Sequence, residues 1–317
     1  MSGHESTYDV AAIGNYTKDT VVHPAGTRQV DGGGVRYAAY AAAGLGCRVA
    51  ALTRLAREDD RVVTDLEQAG VDVFPVFAPD STRMRLEYPT TDPDLRTLTA
   101  ATTAGSFTVD HVDAVKARSY LITSSIRGEM PVDVVRHLRT TDATIALDVQ
   151  GFVRIRRPDG LLVHAPWPDA PLVLSMVDVL KTDAVEAESI TGESDPETAA
   201  RALAEFGPRE VLVTHRDGLL VLADGHTYQT QFHPKEMIGR SGRGDTCLGS
   251  YTAARLGVSP AEATVWAAAI TSLKMESDGP FHGSLAEVED LLQREYGLVP
   301  GGPPVPAAIP TGNTAGA

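Results

Sequence analysis

Short apolar runs and helix-like stretches alternate along most of the chain, and this alternation limits the folds that it can adopt. Strand-like runs occur at residues 8–14, 48–53, 71–76, 120–123, 144–149, 177–181 and 211–214. Helix-like stretches separate many of them, at residues 34–45, 60–69, 131–139 and 197–206. Such alternation is typical of a mostly parallel sheet that helices cover on both faces. The sequence therefore predicts an α/β domain built in three layers.

Two segments, residues 20–30 and 83–107, break this rhythm. Both carry β-branched and polar residues without helical periodicity, which predicts extended strands rather than helices. We expect these strands to form a small β-sheet that projects from the main domain.

The order of elements changes in the last third of the chain. After Arg209 the patterns predict two strands and then three helices, at residues 211–222, 227–232, 245–256, 260–277 and 285–296. Residues 298–317 are rich in Pro, Gly and Ala, which favours a disordered tail. The prediction is one domain over residues 1–297, followed by that tail.

Composition and charge argue against some classes of partner. The net charge of the 317 residues is −14 and no Lys/Arg-rich run occurs, so neither nucleic acid nor an anionic membrane surface is expected as a partner. The two cysteines, Cys47 and Cys247, are too far apart to suggest a metal knuckle or a disulfide framework. The first residues do not resemble a signal peptide, and no apolar run reaches the roughly 18 residues of a membrane helix. We therefore expect a cytoplasmic protein.

The most informative segment is residues 239–247, GRSGRGDTC, which precedes an Ala-rich amphipathic helix. Glycine lets the backbone approach a phosphate, and a helix start directs unpaired N–H groups at it. The amides of Gly242, Arg243 and Gly244 would then form an anion hole, with Asp245 placed to accept a proton from an attacking hydroxyl. From the glycines alone, a simple turn with Asp245 capping the helix explains the segment equally well.

Three further segments lie in the order and spacing of a known family. They are GNYTKD at 14–19, DGGG at 31–34 before an Ala-rich helix, and LKTDAVE at 180–186. Together with GRGD at 242–245, they resemble the signatures of the PfkB/ribokinase family of carbohydrate kinases, from Tyr8 to about Tyr296. The resemblance implies a ribokinase-like domain whose central sheet is mostly parallel, with the segments 20–30 and 83–107 as a β-sheet lid over the acceptor.

The resemblance also implies a function: transfer of the γ-phosphoryl group of ATP to a hydroxyl of a small sugar-like molecule. Asp245 would be the catalytic base, and Glu186 would help to organise Mg²⁺. Residues expected at the nucleotide are Lys181, Asp183, Glu186, Thr214, Gly218, Ser272 and Glu276. Residues expected at the acceptor are Asp19, Gly32, Gly33, Asn15, Tyr37, Asp148 and Gln150. A monovalent cation near the C-terminal helices and a homodimer formed through the lid are further expectations.

Several positions depart from the family pattern. Gly239-Arg240 replaces the usual Asp-Thr, Asp183 replaces asparagine, and residues 214–218 lack the common Thr-x-Gly. Arg243 replaces alanine inside the anion hole. Its side chain either adds a cation that faces the phosphates or turns to solvent, and the sequence favours neither.

Tyr37 narrows the range of possible acceptors, because it stands where the family commonly has an asparagine that binds ribose. With residues 14–16 and 147–154, Tyr37 makes the chain resemble the inositol-kinase branch, which brings Asp148, Gln150 and Arg154 close to the site. We therefore expect a cyclitol such as myo-inositol, although plain helix packing also explains Tyr37. The alternatives are a nucleoside or other sugar kinase, and a lapsed kinase fold that serves as a ligand sensor.

Overall fold

The computed structural model describes residues 7–90 and 96–305. The strands are β1 (Tyr8–Ile13), β2 (Thr17–His23), β3 (Gly26–Gly32), β4 (Val49–Ala56), β5 (Val71–Ala78), β6 (Thr82–Glu87), β7 (Thr97–Thr102), β8 (Ala117–Ile122), β9 (Thr144–Asp148), β10 (Arg154–Arg156), β11 (Leu162–His164), β12 (Val179–Asp183), β13 (Glu210–Thr214), β14 (Gly218–Ala223) and β15 (His226–Gln231). The helices are α1 (Gly34–Gly44), α2 (Arg61–Gln68), α3 (Val109–Val112), α4 (Val132–Leu138), α5 (Gln150–Val153), α6 (Ala170–Leu174), α7 (Ala184–Thr191), α8 (Pro196–Ala204), α9 (Arg243–Ala254), α10 (Pro260–Met275) and α11 (Leu285–Tyr296).

Nine strands form the central sheet in the order β15-β14-β13-β12-β9-β8-β1-β4-β5. The neighbours from β13 to β5 are parallel, whereas β14 and β15 run antiparallel at one edge. Buried side chains of α1, α9, α10 and α11 pack on one face, and those of α4, α6 and α8 pack on the other. The predicted three-layer α/β domain with a mostly parallel sheet is confirmed.

A second sheet of four strands has the order β3-β2-β6-β7. It has its own small core, which includes Met84, Leu86 and Ala100, and we call it the lid. The strands predicted at 20–30 and 83–107 lie in this sheet, except that residues 91–95 are outside the described part of the chain. The Arg28 guanidinium, on β3, forms a bidentate ion pair with the Asp278 carboxylate beyond α10, with Nη2 3.1 Å from Oδ1. This pair joins the lid to the C-terminal part of the domain.

Helices α1 and α9 pack closely because the residues between them are small. A Cβ added to Gly249 would lie 2.5 Å from the carbonyl oxygen of Ala38, so the two backbones nearly touch. At their N-terminal ends, a Cβ added to Gly34 would lie 2.2 Å from Oδ1 of Asp245. The starts of the two helices therefore meet at one point.

The end of the chain is only partly covered by the description. Val305 is 4% exposed and belongs to the core beneath α1 and α9, and Leu298 packs against the same core. Leu298 and Val305 thus pack against the domain, residues 306–317 lie outside the described residues, and the disordered tail stays a prediction. Among the described helices, none combines the length and apolar character that crossing a bilayer requires.

Replacing Gly249 with alanine is expected to destabilise the protein. Alanine favours a helix over glycine by less than about 1 kcal/mol, but its Cβ would strike the Ala38 backbone, and overpacking of this kind costs about 1–3 kcal/mol. The midpoint of thermal unfolding should therefore fall. Gly301→Ala is the matched control, because an added Cβ there meets no atom within 4 Å. An unchanged midpoint for Gly249→Ala would contradict the close helix contact.

Candidate active site

A cavity of about 530 Å³ lies between the carboxyl ends of the parallel strands and the lid. The lid contributes Asp19, Val21 and Arg28, and the loop before α9 contributes residues 237–242. Ligands of open α/β sheets bind outside the carboxyl ends of the strands. The cavity is therefore where a small-molecule site is expected, and most of the predicted site residues lie in or beside it.

The donor end of the cavity is formed by the start of α9. Gly242 is the N-cap with a φ of 75°, a conformation that favours glycine, and no side chain caps the helix. The amides of Gly242 and Gly244 donate to none of the described residues, whereas the Arg243 amide donates to the Arg240 carbonyl oxygen at 3.2 Å. Two of the three predicted anion-hole amides are thus available to an anion, and the helix dipole favours negative charge there.

Asp245 lies in the first turn of α9, inside the cavity. Burial and nearby Asp148 together raise the pKa of its carboxyl to about 6, against the opposing effect of Lys181. The pKa lies close enough to neutrality for the carboxylate to accept a proton during a reaction and release it afterwards. The predicted position of Asp245 at the helix start is confirmed.

A buried ion pair stands beside the anion hole. The Lys181 ammonium lies 3.0 Å from Oδ2 of Asp148, and both side chains are almost fully buried. A Cβ added to Gly244 would lie 2.3 Å from Nζ of Lys181, so the ammonium touches the backbone that would hold an anion. Burial opposes its charge, but Asp148, Glu186, Asp183 and Asp245 together keep the pKa of Lys181 above its usual range. Lys181 therefore presents a fixed positive charge to the anion hole.

Asp183 and Glu186 form a capping box at the start of α7. Oδ1 of Asp183 accepts from the Glu186 amide at 2.8 Å, and Oε2 of Glu186 accepts from the Asp183 amide at 3.0 Å. Burial and the Asp183 charge raise the pKa of Glu186 to about 8, against the opposing effect of Lys181. No group of three Asp, Glu, His or Cys side chains within residues 7–90 and 96–305 is arranged to hold a metal ion. A hydrated Mg²⁺ needs fewer, since it binds through one or two carboxylates together with substrate phosphates.

The acceptor end contains buried oxygens that lack partners. Oδ1 of Asn15, Oδ1 of Asp19, Oγ of Ser124 and Oε1 of Glu129 accept or donate no hydrogen bond within the described structure. Burial raises the pKa of Asp19 to about 6, partly offset by a Thr17 hydrogen bond, and that of Glu129 to about 7. Of these residues Asp19 lines the cavity, and because unpaired buried polar atoms are costly, its free oxygen indicates a ligand with hydroxyl groups.

Glu129 and Ser124 were missed by the sequence reasoning. Both follow β8, which lies next to β1 in the sheet, so their approach to Asn15 depends on strand order. The sequence carried one usable signal, for Ser124 alone: it is a polar residue just after the apolar strand β8.

Four other predicted acceptor residues are placed at or beside the same cavity. Gly32 ends β3, and an added Cβ there would lie 2.3 Å from Oδ2 of Asp19. Gly33, with a φ of 98°, is the N-cap of α1. Tyr37 lines the cavity while its ring also packs against Gly242, so it combines the wall and packing roles that the sequence left open. Gln150 lines the cavity as well.

Three predicted nucleotide residues lie elsewhere. Ser272 is fully buried, donates to the Ala268 carbonyl oxygen and accepts from the His233 amide at 2.9 Å. Glu276 accepts from the Lys235 amide at 2.8 Å, and Gly218 is paired within β14 and β15. None of the three lines the cavity. Their polar groups have partners inside the fold, and the nucleotide contacts expected of them stay predictions.

Arg243 extends along the donor side of the cavity, where Thr214 also lies. Its Nη1 donates to the Arg216 carbonyl oxygen at 3.3 Å, and its guanidinium lies 5.9 Å from the centroid of the Phe232 ring. The side chain therefore reaches from the anion hole to the turn at 214–218, rather than into open solvent.

Comparison with known proteins agrees with this geometry. Residues 6–284 match the model of the pfkB family of carbohydrate kinases. The chain belongs to this family. It is accordingly a phosphotransferase of the carbohydrate-kinase type. The search of curated proteins found no match to this chain.

Solved structures of the ribokinase family are similar over most of this pfkB chain. One is a pyrophosphate-dependent kinase complexed with a pyrophosphate analog and myo-inositol, 31% identical, covering 86% of this chain and 97% of its own, with a TM-score of 0.81. Another is a pyrophosphate-dependent myo-inositol-1 kinase converted into a myo-inositol-3 kinase, 30% identical, covering 90% and 99%, with a TM-score of 0.82. The Arabidopsis thaliana ribokinase complexed with ribose and ATP is 19% identical, covering 91% and 99%, with a TM-score of 0.72, and supports the fold alone.

The raised pKa of Asp245 predicts an acid limb in the pH profile. Below a pH of about 6 its carboxyl is protonated and cannot accept a proton, so kcat should rise as pH increases through about 6. Asp245→Asn should lower kcat by about 10²–10⁴-fold, the usual contribution of a general base. Because Asp19 titrates near the same pH, kcat is measured at saturating acceptor. The control is Asp142→Asn. Asp142 is exposed and precedes β9, at the amino end of that strand, away from the cavity at the carboxyl ends. An Asp245→Asn variant that keeps turnover and the acid limb would exclude Asp245 as the base.

Proposed function

We propose that this pfkB kinase transfers a phosphoryl group to a hydroxyl of a cyclitol such as myo-inositol. One observation carries the proposal. Asp245 stands in the first turn of α9, beside the Gly242 and Gly244 amides, and shares its cavity with Asp19, whose Oδ1 has no partner among the described residues. A proton acceptor in that position lies between a phosphate donor and a hydroxyl-rich acceptor.

The proposed reaction is an in-line displacement. The acceptor hydroxyl attacks phosphorus, its proton passes to Asp245, and the bond to the leaving phosphate breaks. The Gly242 and Gly244 amides and the Lys181 ammonium stabilise the negative charge on the transferred group. Positioning and charge stabilisation supply most of the catalysis in phosphoryl transfer. Closure of the lid excludes water, which would otherwise compete as the acceptor.

The acceptor assignment rests on the chemistry of the acceptor end. Asp19 and Glu129 offer carboxyl oxygens to hydroxyl groups, and Asn15 offers an amide oxygen, while Tyr37 gives a flat wall suited to the face of a ring. Two similar structures are of kinases whose descriptions name myo-inositol. A nucleoside would also suit an aromatic wall, and acceptor profiling separates the two classes.

The donor end favours inorganic pyrophosphate over the ATP that the sequence predicted. The Arg243 side chain lies across the route from the anion hole to the turn at 214–218, where a nucleotide was expected to extend. Ser272 and Glu276, the residues expected near adenine, are bonded elsewhere. Both similar inositol-kinase structures are described as pyrophosphate-dependent. Arginine is well suited to bind a compact phosphate anion.

Magnesium suits the acidic residues near the donor. Glu186, Asp183 and Asp148 lie around the Lys181 ammonium, and burial together with the Asp183 and Asp148 charges raises the pKa of Glu186. A divalent cation would relieve the repulsion, so Glu186 and Asp183 are the residues proposed to support Mg²⁺. When bound, Mg²⁺ would neutralise charge on the donor phosphates.

The test measures product formation for each donor with each acceptor. Pyrophosphate, tripolyphosphate and ATP are supplied with Mg²⁺ to cyclitols, pentoses, hexoses and nucleosides, and phosphate esters are detected by ³¹P NMR. We expect turnover with pyrophosphate and a cyclitol, and its collapse in Asp245→Asn but not in Asp142→Asn. Turnover with ATP alone would reject the donor assignment, and turnover with a nucleoside alone would reject the acceptor. Donor binding without any turnover would favour the ligand-sensor alternative.

Arg243→Ala should weaken the use of pyrophosphate specifically. A charge-assisted hydrogen bond contributes about 1.5–3 kcal/mol, so kcat/KM for pyrophosphate should fall by about 10–100-fold. Arg201, an exposed arginine on α8 that pairs with Glu197, provides the control Arg201→Ala. The proposed role of Arg243 is wrong if Arg243→Ala leaves kcat/KM for pyrophosphate unchanged. It is also wrong if kcat/KM for ATP in this variant rises above that for pyrophosphate.

Two remaining expectations from the sequence stay predictions. These are the homodimer formed through the lid and the cytoplasmic location. Sedimentation velocity of the intact protein would measure the first.

A further inference from the structure

Lys274 is a buried cation that the proposed mechanism does not use. It lies in the last turn of α10 and is 1% exposed. Its Nζ donates to the carbonyl oxygen of Gly239 at 2.8 Å and lies 5.5 Å from the centroid of the Tyr37 ring. An ammonium has three donors, and Gly239 is its one hydrogen-bond partner within residues 7–90 and 96–305. A charged side chain is rarely buried in this way without a specific role.

The contacts of Lys274 lead to the backbone of the anion hole. The Ile238 and Gly239 amides both donate to the Met275 carbonyl oxygen, at 2.9 and 3.0 Å, and Lys274 fixes the Gly239 carbonyl on the same side. Tyr37, which lies under the ammonium, packs against Gly242, the N-cap of α9. The ammonium therefore supports the loop before α9 (residues 237–242, here called the phosphate loop) at both Gly239 and Gly242.

The family resemblance implies a monovalent cation near the C-terminal helices. In this chain the end of α10 already carries a fixed positive charge, and that charge holds a carbonyl oxygen of the phosphate loop. A second cation beside Gly239 would be repelled by Lys274 and would compete with it for the same oxygen. The residues present therefore do not fit a bound monovalent cation at this place.

We propose that the Lys274 ammonium serves as the built-in cation of the anion hole, so that the kinase needs no monovalent cation. This inference rests on the proposed function of the same site. Lys274 acts as a positioning residue: it shapes the loop whose amides hold the phosphate, and it adds positive potential there. The sequence did not predict this role of Lys274, because its partner is a backbone carbonyl 35 residues away.

The groups around Lys274 predict how its charge, and with it kcat, depends on pH. Tyr37 of α1, Asp245 of α9 and Asp278 beyond α10 face the ammonium, and Asp278 is itself paired with Arg28 of the lid. Burial lowers the pKa of Lys274 to about 8, against the opposing effect of Asp278 and Asp245. The charge is then lost as pH rises through about 8, and kcat should fall on that alkaline limb.

The first experiment measures turnover of the intact wild-type enzyme in chloride salts of K⁺, Na⁺ and tetramethylammonium at constant ionic strength. The proposal expects the same kcat in all three. A requirement for K⁺ would overturn it. This measurement needs no variant, so it decides the question even if a substitution at Lys274 prevents folding.

The second experiment compares Lys274→Met with Lys235→Met, a change at an exposed lysine. We expect Lys274→Met to lose about 100-fold in kcat, as when a donor to an oxyanion is removed, with the acceptor KM unchanged. Ammonium or methylamine should restore part of the loss with saturation. Lys274→Arg should keep more activity and shift the alkaline limb upward. A folded Lys274→Met that stays active, or is inactive and not rescued, would overturn the proposal.

A third measurement separates this inference from the proposed function. Binding of inorganic pyrophosphate is followed by calorimetry in wild type and Lys274→Met, without an acceptor. Weaker binding by Lys274→Met that ammonium restores would support the inference even if no acceptor is turned over. Equal binding by the two proteins would count against it, whatever the reaction proves to be.

Discussion

The close contact between α1 and α9 is the constraint on which the site depends. Gly249 brings the two backbones together at Ala38, and this fixes where both helices begin. The start of α1 carries the glycines proposed to hold the acceptor, and the start of α9 carries the proposed anion hole and Asp245. Helices that pack through ordinary side chains have their axes about 8–10 Å apart. Such a spacing would keep the starts of α1 and α9 out of contact. Here the small residues let a carboxylate of one helix touch the first residue of the other, so one group can serve both substrates.

Much of the fold was predictable because local patterns and chain order agree. The alternation of strands and helices gave the three-layer domain, and the two segments without helical periodicity became the lid. The position of the loop before α9 was predictable for the same reason, because Gly242, Gly244 and Asp245 lie close together in sequence. The glycines alone explained a simple turn equally well, and the segments at 14–19, 31–34 and 180–186 favoured an anion hole. Where a function is carried by one short segment, its chemistry can be inferred from that segment.

Features assembled from distant segments were not predictable in this way. Glu129 reaches the acceptor end only because β8 lies beside β1, and the Lys181–Asp148 pair depends on β12 lying beside β9. Ser272 and Glu276 were expected at a nucleotide by analogy, and the sequence did not predict that they accept from the His233 and Lys235 amides, 39 and 41 residues away. Arg243 is the intermediate case. Its position was clear from sequence, whereas the direction of its side chain depends on the Arg216 carbonyl across the cavity.

The Arg28–Asp278 ion pair joins residues 250 positions apart, and this separation bears on how the enzyme matures on the ribosome. Synthesis proceeds from the N-terminus, and contacts of such long range form only after the later partner has emerged. The lid strands and Asp19 are made early, whereas the anion hole and Asp278 are made in the last quarter of the chain. A growing chain therefore completes its acceptor groups well before it can hold a phosphate donor.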